Sequence, residues 1–313
     1  MPSRFITKPL RHWDDLTWWR KVAFPYTART VHRQLSHQGL HLPDEGWDNL
    51  VILDACRYDM FATQSQLSGQ LTKRTSAGSN TPEFLQSNFQ NIDLNDTVYV
   101  TANPQVNVHL DDEFFKLINV WEDHWDNELH TVHPKVMAEE TIKAYESYPN
   151  KRLISHFIQP HYPFIGEIGQ TELNSHSGME LSKRLATDEE ANRDTMSIWD
   201  QLYEGSVSTD LVWNAYKENL ELTLPHIERL VDVFEEYTVV TSDHGNALGE
   251  RACPVPVKIY GHPPTIRIPA LTDVPWLVTN TGTRKKVISE ESSTADVDHN
   301  EKVEQRLADL GYK

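Results

Sequence analysis

The chain alternates between short apolar runs that end in polar residues and longer segments in which apolar residues recur every three or four positions. Short runs of this kind are typical of strands buried on both faces of a parallel sheet. They cover 49–54, 97–102, 152–159, 238–241 and 274–278. The helical spacing predicts helices over 28–40, 57–64, 134–148, 210–236 and 301–310. Strands that alternate with helices predict an α/β fold with a mainly parallel central sheet.

Shifts in composition divide the chain into three parts. Residues 1–46 form an arm rich in Trp, Arg and Lys, which we expect to pack on the main domain or to touch a membrane surface or a partner. The main domain covers 47–279 and contains a polar insertion, 165–208, without a clear period. A polar linker and a short helix occupy 280–313. Within the long helix, Pro225 predicts a kink or a break.

The balance of acidic and basic residues limits the classes of function that this chain can have. Lys and Arg number 29 and Asp and Glu number 46, which gives a formal net charge of -17. Such an acidic chain lacks the basic footprint of a general nucleic-acid binder. An anionic substrate would then need a local positive centre, which a bound metal can supply. With two cysteines, no long apolar run and no signal-peptide pattern, the chain is expected to be cytoplasmic.

Candidate metal ligands follow the apolar runs. Asp54 ends the first run, Asp243 and His244 end the run at 238–241, and His161 follows the run at 152–159. His262 lies a short loop further on. Strand ends on one side of a parallel sheet converge, so these side chains can meet. Carboxylate and imidazole ligands without a thiolate favour Zn or Mn. Each residue also has an ordinary alternative, as a helix cap or a loop histidine.

Thr81 is the candidate nucleophile, because it stands directly before Pro82 at a predicted helix start. Backbone N–H groups at a helix N-terminus attract anions, and a hydroxyl beside a cation ionises more readily. Ser79 is the nearest rival hydroxyl. The alternative is a plain helix cap in which Asn80 and Glu83 pair as in a capping box.

Five motifs together resemble the alkaline phosphatase and sulfatase superfamily, in the family's order along the chain. They are NLVILDACRYD, GSNTPEF, QPHYPF, SDHGNALGE and YGHP. The DHGNALGE portion is similar to phosphoethanolamine and phosphoglycerol transferases that modify lipids and glycans. The stretch DACRYD is closer to small soluble archaeal sulfatase-like proteins. The resemblance implies an alkaline phosphatase-like fold, with a mainly parallel central sheet and helices on both faces.

The resemblance also implies roles for individual residues. Asp54, Asp243 and His244 match metal ligands, and Thr81 matches a nucleophile that becomes transiently phosphorylated. His161 matches a residue that contacts the transferred group or steadies the leaving group. His262 matches a histidine that serves a second metal or the substrate. Arg57 and Asn80 are nearby polar candidates for binding the anion. One metal site is therefore expected, and a second is left open.

Two departures from the sulfatase pattern affect the expected reaction. Sulfatases begin their nucleophile motif with Cys or Ser followed by x-Pro-x-Arg, whereas this chain has Thr81-Pro82-Glu83-Phe84. They also usually carry Asp-Asn where this chain has Asp243-His244. We therefore expect a metal-dependent hydrolase or transferase of phosphate esters or diesters, on a small-molecule or a glycan- or lipid-linked substrate. The alternatives are a sulfate ester hydrolase and a catalytically silent binding protein of the same fold.

Overall fold

A seven-stranded sheet forms the centre of the computed structural model, which describes residues 23–34, 39–110, 112–173, 197–290, 306–307 and 309–310. The strands of this sheet are β1 Asn49–Leu53, β2 Gln70–Thr75, β3 Leu94–Thr101, β4 Phe114–Asn119, β5 Arg152–Phe157, β6 Thr238–Ser242 and β9 Asp273–Asn280. Their spatial order is β2-β9-β6-β1-β5-β3-β4. The five neighbours from β6 to β4 run parallel, whereas β9 is antiparallel to both β6 and β2.

A second sheet contains only β7, Ala247–Arg251, and β8, Lys258–Gly261, which pair antiparallel. The α-helices are Phe24–Gln34, Tyr58–Gln64, Thr81–Asn88, Gln105–His109, Val120–Asp123, Pro134–Ser147, Ile198–Glu204, Thr209–Val233 and Pro269–Thr272. A 3₁₀ turn covers Leu42–Asp44, and a π-helical turn covers Gly169–Leu173. None of the helices in the described ranges combines the length and the hydropathy that crossing a bilayer requires.

Helices cover both faces of the central sheet. Successive residues of a strand point to opposite sides, so each central strand contributes to two separate cores. Val51 and Leu53 of β1 belong to the larger core, which also contains residues of the helices Pro134–Ser147 and Thr209–Val233. Leu50 and Ile52 belong to a second core, built with residues of the helix Thr81–Asn88. The predicted α/β class, with a mainly parallel sheet and helices on both faces, is confirmed.

The structure departs from the sequence prediction at several elements. The last predicted strand is present, but it runs antiparallel. The exposed edge strand β2, the edge strand β4 and the hairpin of β7 and β8 were missed. The helix Thr209–Val233 continues through Pro225 without a break. Most of the predicted arm, the centre of the insertion and most of the last helix lie outside the described residues.

The polar segment after β9 is attached to the amino ends of the central strands. Lys285 Nζ donates to Asn49 Oδ1 at 2.8 Å and to the Lys151 carbonyl at 3.2 Å. Arg284 Nε lies 2.6 Å from Asp48 Oδ2, and Asp48 is buried. Burial lowers the pKa of Lys285 to about 8. The first part of the predicted linker is therefore packed against the domain, at the opposite end of the strands from the candidate site.

Candidate metal centre and active site

Asp54, Asp243 and His244 meet at the carboxyl ends of two neighbouring strands. β1 and β6 pair in parallel with Leu53 beside Ser242, so the residues that follow them are adjacent. All three side chains are buried. One ligand atom from each lies within 4.8 Å of the others, and no other such group of His, Cys, Asp or Glu exists among the described residues. The structure thus brings together three of the residues that the sequence nominated as metal ligands, whereas the fourth, His262, is not part of this group.

The spacing of these atoms fits a divalent cation. His244 Nε2 lies 3.5 Å from Asp54 Oδ1 and 3.4 Å from Asp243 Oδ2. Both separations are long for a hydrogen bond. Ligands in a tetrahedral zinc site, each about 2.1 Å from the ion, are separated by about 3.4 Å. Two buried carboxylates side by side also require a positive partner to offset their desolvation. The donor set and its spacing therefore suit a metal ion.

Thr81 occupies a fourth position around the same point. Its Oγ1 donates to Asp243 Oδ2 at 2.9 Å and lies 3.2 Å from His244 Nε2. Thr81 begins the helix Thr81–Asn88, which Asn80 caps by accepting from Glu83 N at 3.0 Å. The rival hydroxyl, Ser79 Oγ, is hydrogen-bonded instead to Glu83 Oε2 and to the Pro263 carbonyl. The hydroxyl next to the three candidate ligands is therefore that of Thr81.

Backbone groups fix the orientation of the Asp243 carboxylate. Its Oδ1 accepts from Ala55 N at 2.9 Å and from His244 N at 2.8 Å. Ala55 adopts a left-handed conformation, with φ of 58°, which turns the chain directly after Asp54. Since Oδ1 is occupied by two N–H donors, Oδ2 is the oxygen that faces Thr81 and the candidate cation position.

Asn103 orients Asp54 and was not assigned a role from the sequence. Its Nδ2 donates to Asp54 Oδ2 at 2.6 Å, while its Oδ1 accepts from Gln105 N at 2.9 Å. Asn103 follows β3 at the same edge of the sheet as Asp54. The sequence feature that could have identified Asn103 is an amide side chain directly after a predicted strand. A donor that holds a metal-ligating carboxylate is a common supporting feature of metal sites.

His161 and His262 form a pair of imidazoles beside the cluster. Their Nε2 atoms lie 2.9 Å apart, and the His262 ring centroid is 4.8 Å from that of His244. His161 Nδ1 lies 2.5 Å from the Tyr162 carbonyl, which can only accept, so Nδ1 bears the proton. Burial lowers the pKa of His161 to about 4 and that of His262 well below its usual value. Both rings are therefore neutral, and His262 Nε2 donates to His161.

Arg57 lies beside the site in an ion-pair network. Its guanidinium pairs with Asp59 at 2.6 Å and with Glu250 at 2.5 Å, and it also donates to the Asn246 carbonyl. These carboxylates raise its pKa, although burial acts in the opposite direction. An anionic substrate would have to compete with two carboxylates for this side chain. Substrate binding by Arg57 stays a prediction, as it does for Asn80 and His262.

A buried histidine that the sequence reading treated as part of a strand also faces the cluster. His156 Nδ1 is 2.9 Å from Tyr99 OH, and His156 Nε2 is 4.0 Å from Asp243 Oδ2. Burial lowers the pKa of His156 to about 4 and raises that of Tyr99 well above its usual value. A Tyr99 hydroxyl that donates to Nδ1 leaves the proton of His156 on Nε2. The partial positive charge of this N–H group then faces the Asp243 carboxylate.

The loop that contains His161 is held by one buried amide. Asn219, in the helix Thr209–Val233, donates through Nδ2 to the carbonyls of Pro163 at 2.9 Å and His161 at 3.1 Å. Its Oδ1 accepts from Ile165 N at 2.7 Å. The sequence pattern predicts the apolar stripe of this helix, whereas no pattern points to the asparagine within it. Asn219 is a positioning residue for the loop.

Asn219→Asp should therefore destabilise the protein by about 2–4 kcal/mol, because a carboxylate in place of the amide faces carbonyl oxygens that have lost their donor. Urea denaturation measures the change in the free energy of unfolding. Asn214→Asp is the matched control, since Asn214 is exposed on the same helix and its replacement should change stability by less than about 0.5 kcal/mol. Equal effects of the two substitutions would contradict the assignment.

Comparison with known proteins gives structural neighbours only. No protein-family model and no curated protein sequence matches the chain. The periplasmic domain of phosphoethanolamine transferase EptC from Campylobacter jejuni has 13% identity and a TM-score of 0.44, with 73% of this chain and 77% of that chain covered. Lipooligosaccharide phosphoethanolamine transferase A (EptA) from Neisseria meningitidis has 14% identity and a TM-score of 0.45, over 86% of this chain and 59% of that chain.

A third neighbour is a protein in the alkaline phosphatase superfamily from Vibrio parahaemolyticus. It has 8% identity and a TM-score of 0.41, over 83% of this chain and 70% of that chain. The superfamily that the five motifs resemble is thus named among the structural neighbours. Identities below 25% and TM-scores below 0.5 do not assign an activity to this chain. Any functional proposal has to rest on the residues of the site itself.

Proposed function

We propose that the protein is a metal-dependent hydrolase or transferase of phosphate esters or diesters, with Thr81 as the nucleophile. The observation that supports this proposal most directly is the position of the Thr81 hydroxyl, 2.9 Å from Asp243 Oδ2 and 3.2 Å from His244 Nε2. An ordinary helix cap needs neither a buried carboxylate nor an imidazole at its hydroxyl. A hydroxyl within reach of a set of metal ligands is the arrangement that activates an alcohol for attack.

Asp54, Asp243 and His244 would hold the cation, for which zinc and manganese are the candidates. When bound, the cation supplies positive charge that stabilises the ionised Thr81 oxygen and the oxygens of the attacked group. The protein holds these ligands in advance: Asn103 fixes Asp54, and the N–H groups of Ala55 and His244 fix Asp243. Such preorganisation lowers the energetic cost of arranging charges during the reaction.

The Thr81 oxygen attacks phosphorus, and the bond from phosphorus to the alcohol oxygen breaks. Asp243 Oδ2 already accepts the hydrogen bond of the Thr81 hydroxyl and is therefore the nearest acceptor for its proton. The paired imidazoles of His161 and His262 lie beside the cluster. The His262 N–H that donates to His161 can turn to the leaving oxygen and stabilise its charge by a hydrogen bond, and the leaving alcohol takes its proton from water. Water or an acceptor alcohol then releases the phosphoryl group and regenerates Thr81.

A phosphate ester is favoured over a sulfate ester by the residue at position 81. The sulfatase pattern requires a Cys or Ser that is converted to formylglycine within a C/S-x-P-x-R motif. Thr81 is followed by Pro82, Glu83 and Phe84, and Glu83 has a structural role here. Its carboxylate pairs with Arg267 at 2.7 Å and accepts from Thr265 N at 2.7 Å. An unmodified threonine can form a phosphoester and be released from it again.

Metal removal tests this proposal. Purified protein should contain a divalent metal, and chelation should abolish turnover, because Asp54, Asp243 and His244 would no longer neutralise the attacked anion through the ion. Adding back zinc or manganese should restore activity. The assay compares phosphate monoesters, phosphate diesters and sulfate esters, while circular dichroism shows that the chelated protein stays folded. Turnover that survives chelation, turnover of sulfate esters alone, or no turnover of any ester would contradict the proposal.

A further inference from the structure

A cavity with a volume of about 350 Å³ opens next to the candidate nucleophile. Asn80 and Pro82, which flank Thr81 in sequence, line it together with His262. The volume is within the range of about 300–1,000 Å³ that small-molecule sites occupy. Thr81 itself is fully buried, and the cavity is lined by the residues on either side of it. The cavity offers room for the alcohol that leaves from an ester attacked by Thr81.

One wall of the cavity is an aromatic surface built around Gly261. The indole of Trp199 lies so close to Gly261 that a Cβ there would be 3.0 Å from Trp199 Cγ. Gly261 also has φ of 66°, a conformation that glycine adopts without strain. Tyr260 lines the cavity beside it. The Trp199 ring therefore packs on the backbone directly before His262 and lines the cavity, where an aromatic surface can contact a ligand.

The polar lining presents amide N–H donors in a fixed orientation. Gln86 Nε2 lies 3.3 Å from His109 Nδ1, which leaves the His109 proton on Nε2, 3.1 Å from Gln105 Oε1. The Gln105 oxygen is thus occupied, and its NH₂ group has no hydrogen bond to another described residue. Asn80 is arranged in the same way, since its Oδ1 accepts from Glu83 N. Both NH₂ groups can donate to oxygens of a ligand.

None of the described residues that line the cavity is an Asp, Glu, Lys or Arg. The lining residues are Asn80, Pro82, Gln105, Trp199, Tyr260, Gly261, His262, Pro263 and Pro264. A cationic group would face the positive ends of two amides without a carboxylate to pair with. An anionic group would find no lysine or arginine among these lining residues. The lining therefore suits an uncharged group that has a flat face and several oxygen atoms.

We infer that this cavity binds the alcohol portion of the ester, and that this portion is an uncharged, sugar-like ring. The C–H face of the ring stacks on Trp199, and its hydroxyl oxygens accept from the amides of Gln105 and Asn80. This inference rests on the proposed function and adds the class of the leaving alcohol to it. Trp199 and Gln105 are the specificity-determining residues, because they contact the alcohol portion and lie outside the group around Thr81.

Four phosphate esters of primary alcohols test the inference, because their leaving groups are chemically matched. They are ethyl phosphate, cyclohexylmethyl phosphate, phosphocholine and glucose 6-phosphate, each also prepared as its methyl diester. The glucose ester should have the highest kcat/KM, at least about tenfold above that of the ethyl ester. Trp199→Ala should lower kcat/KM about tenfold for both ring esters, mainly through KM, and less than about twofold for the ethyl ester.

Gln105→Leu separates hydrogen bonding from stacking. It should lower kcat/KM for the glucose ester about tenfold and leave kcat/KM for the cyclohexylmethyl ester unchanged, since the latter has no ring hydroxyl groups. Ser197→Ala is the control for the helix that contains Trp199. Ser197 caps this helix by accepting from Asp200 N at 3.1 Å, so its loss weakens the helix without altering the cavity lining. Trp199→Phe, which keeps an aromatic face, should retain most of the affinity.

Isothermal titration calorimetry of the same esters with metal-loaded Thr81→Ala protein distinguishes failure of the proposed function from failure of the cavity assignment. If no ester is turned over but ring esters bind in a Trp199-dependent manner, the proposed function is wrong and the cavity assignment holds. If esters are turned over and Trp199→Ala or Gln105→Leu affects all of them equally, the cavity assignment is wrong. Preference for phosphocholine, or an effect of Ser197→Ala as large as that of Trp199→Ala, would also overturn it.

Discussion

Replacing Thr81 with alanine will lower turnover of the best phosphate ester by at least about 10³-fold, because the attacking oxygen is removed and no other hydroxyl takes its place. Metal content should change little, since Asp54, Asp243 and His244 all remain. Thr81→Ser keeps a hydroxyl at the same position and should retain part of the activity. Steady-state kinetics and metal analysis of the two variants measure these effects. Full activity in Thr81→Ala would exclude Thr81 as the nucleophile.

The covalent intermediate can be detected directly. Rapid quenching during turnover, followed by mass spectrometry of a peptide that contains residues 75–90, should find the phosphoryl group on Thr81. Ser79→Ala is the matched control, because Ser79 Oγ is hydrogen-bonded to Glu83 and Pro263 instead of the cluster. This variant should keep the intermediate and most of the activity. Phosphate on Ser79 would show that the rival hydroxyl is the nucleophile.

The candidate metal-binding cluster was predictable because its geometry follows from local rules. Asp54 and Asp243 each end an apolar run, and the carboxyl ends of neighbouring parallel strands lie at the same edge of a sheet. The register that places Leu53 beside Ser242 then brings the two carboxylates together. The position of Thr81 was predictable in part, since a proline after it indicates a helix start. Its contact with Asp243 depends on how that helix packs.

Groups that support the site could not be predicted in this way, since their partners are far away in sequence. Asn219 binds carbonyls more than fifty positions earlier, at 160, 161 and 163, and no periodicity encodes such a pairing. His156 lies in an apolar strand pattern, and only the packing shows that its Nε2 approaches Asp243. The hairpin of β7 and β8 also escaped prediction, because proline and charged residues interrupt any alternation between apolar and polar positions.

Compared with the wild type, Asp243→Asn will be more stable without metal and less stable with metal. In metal-free protein, two buried carboxylates within 4.8 Å of each other are unfavourable, so removing one charge should raise the free energy of unfolding by about 1 kcal/mol. The asparagine Oδ1 can still accept from Ala55 N and His244 N, which preserves the local fold. With metal at about 100 times its Kd, the wild type should gain about 2.7 kcal/mol, whereas the variant should gain little.

Thermal or urea unfolding of both proteins, with a chelator and with zinc or manganese, measures this reversal, and turnover should fall by at least about 10³-fold. Asp48→Asn is the control, because Asp48 is also a buried aspartate but lies at the amino end of β1, paired with Arg284 at 2.6 Å. It should lose stability equally in both conditions and keep the full response to metal. A full metal response in Asp243→Asn would show that Asp243 is not a ligand, because an amide in place of a carboxylate removes the charge that attracts the cation.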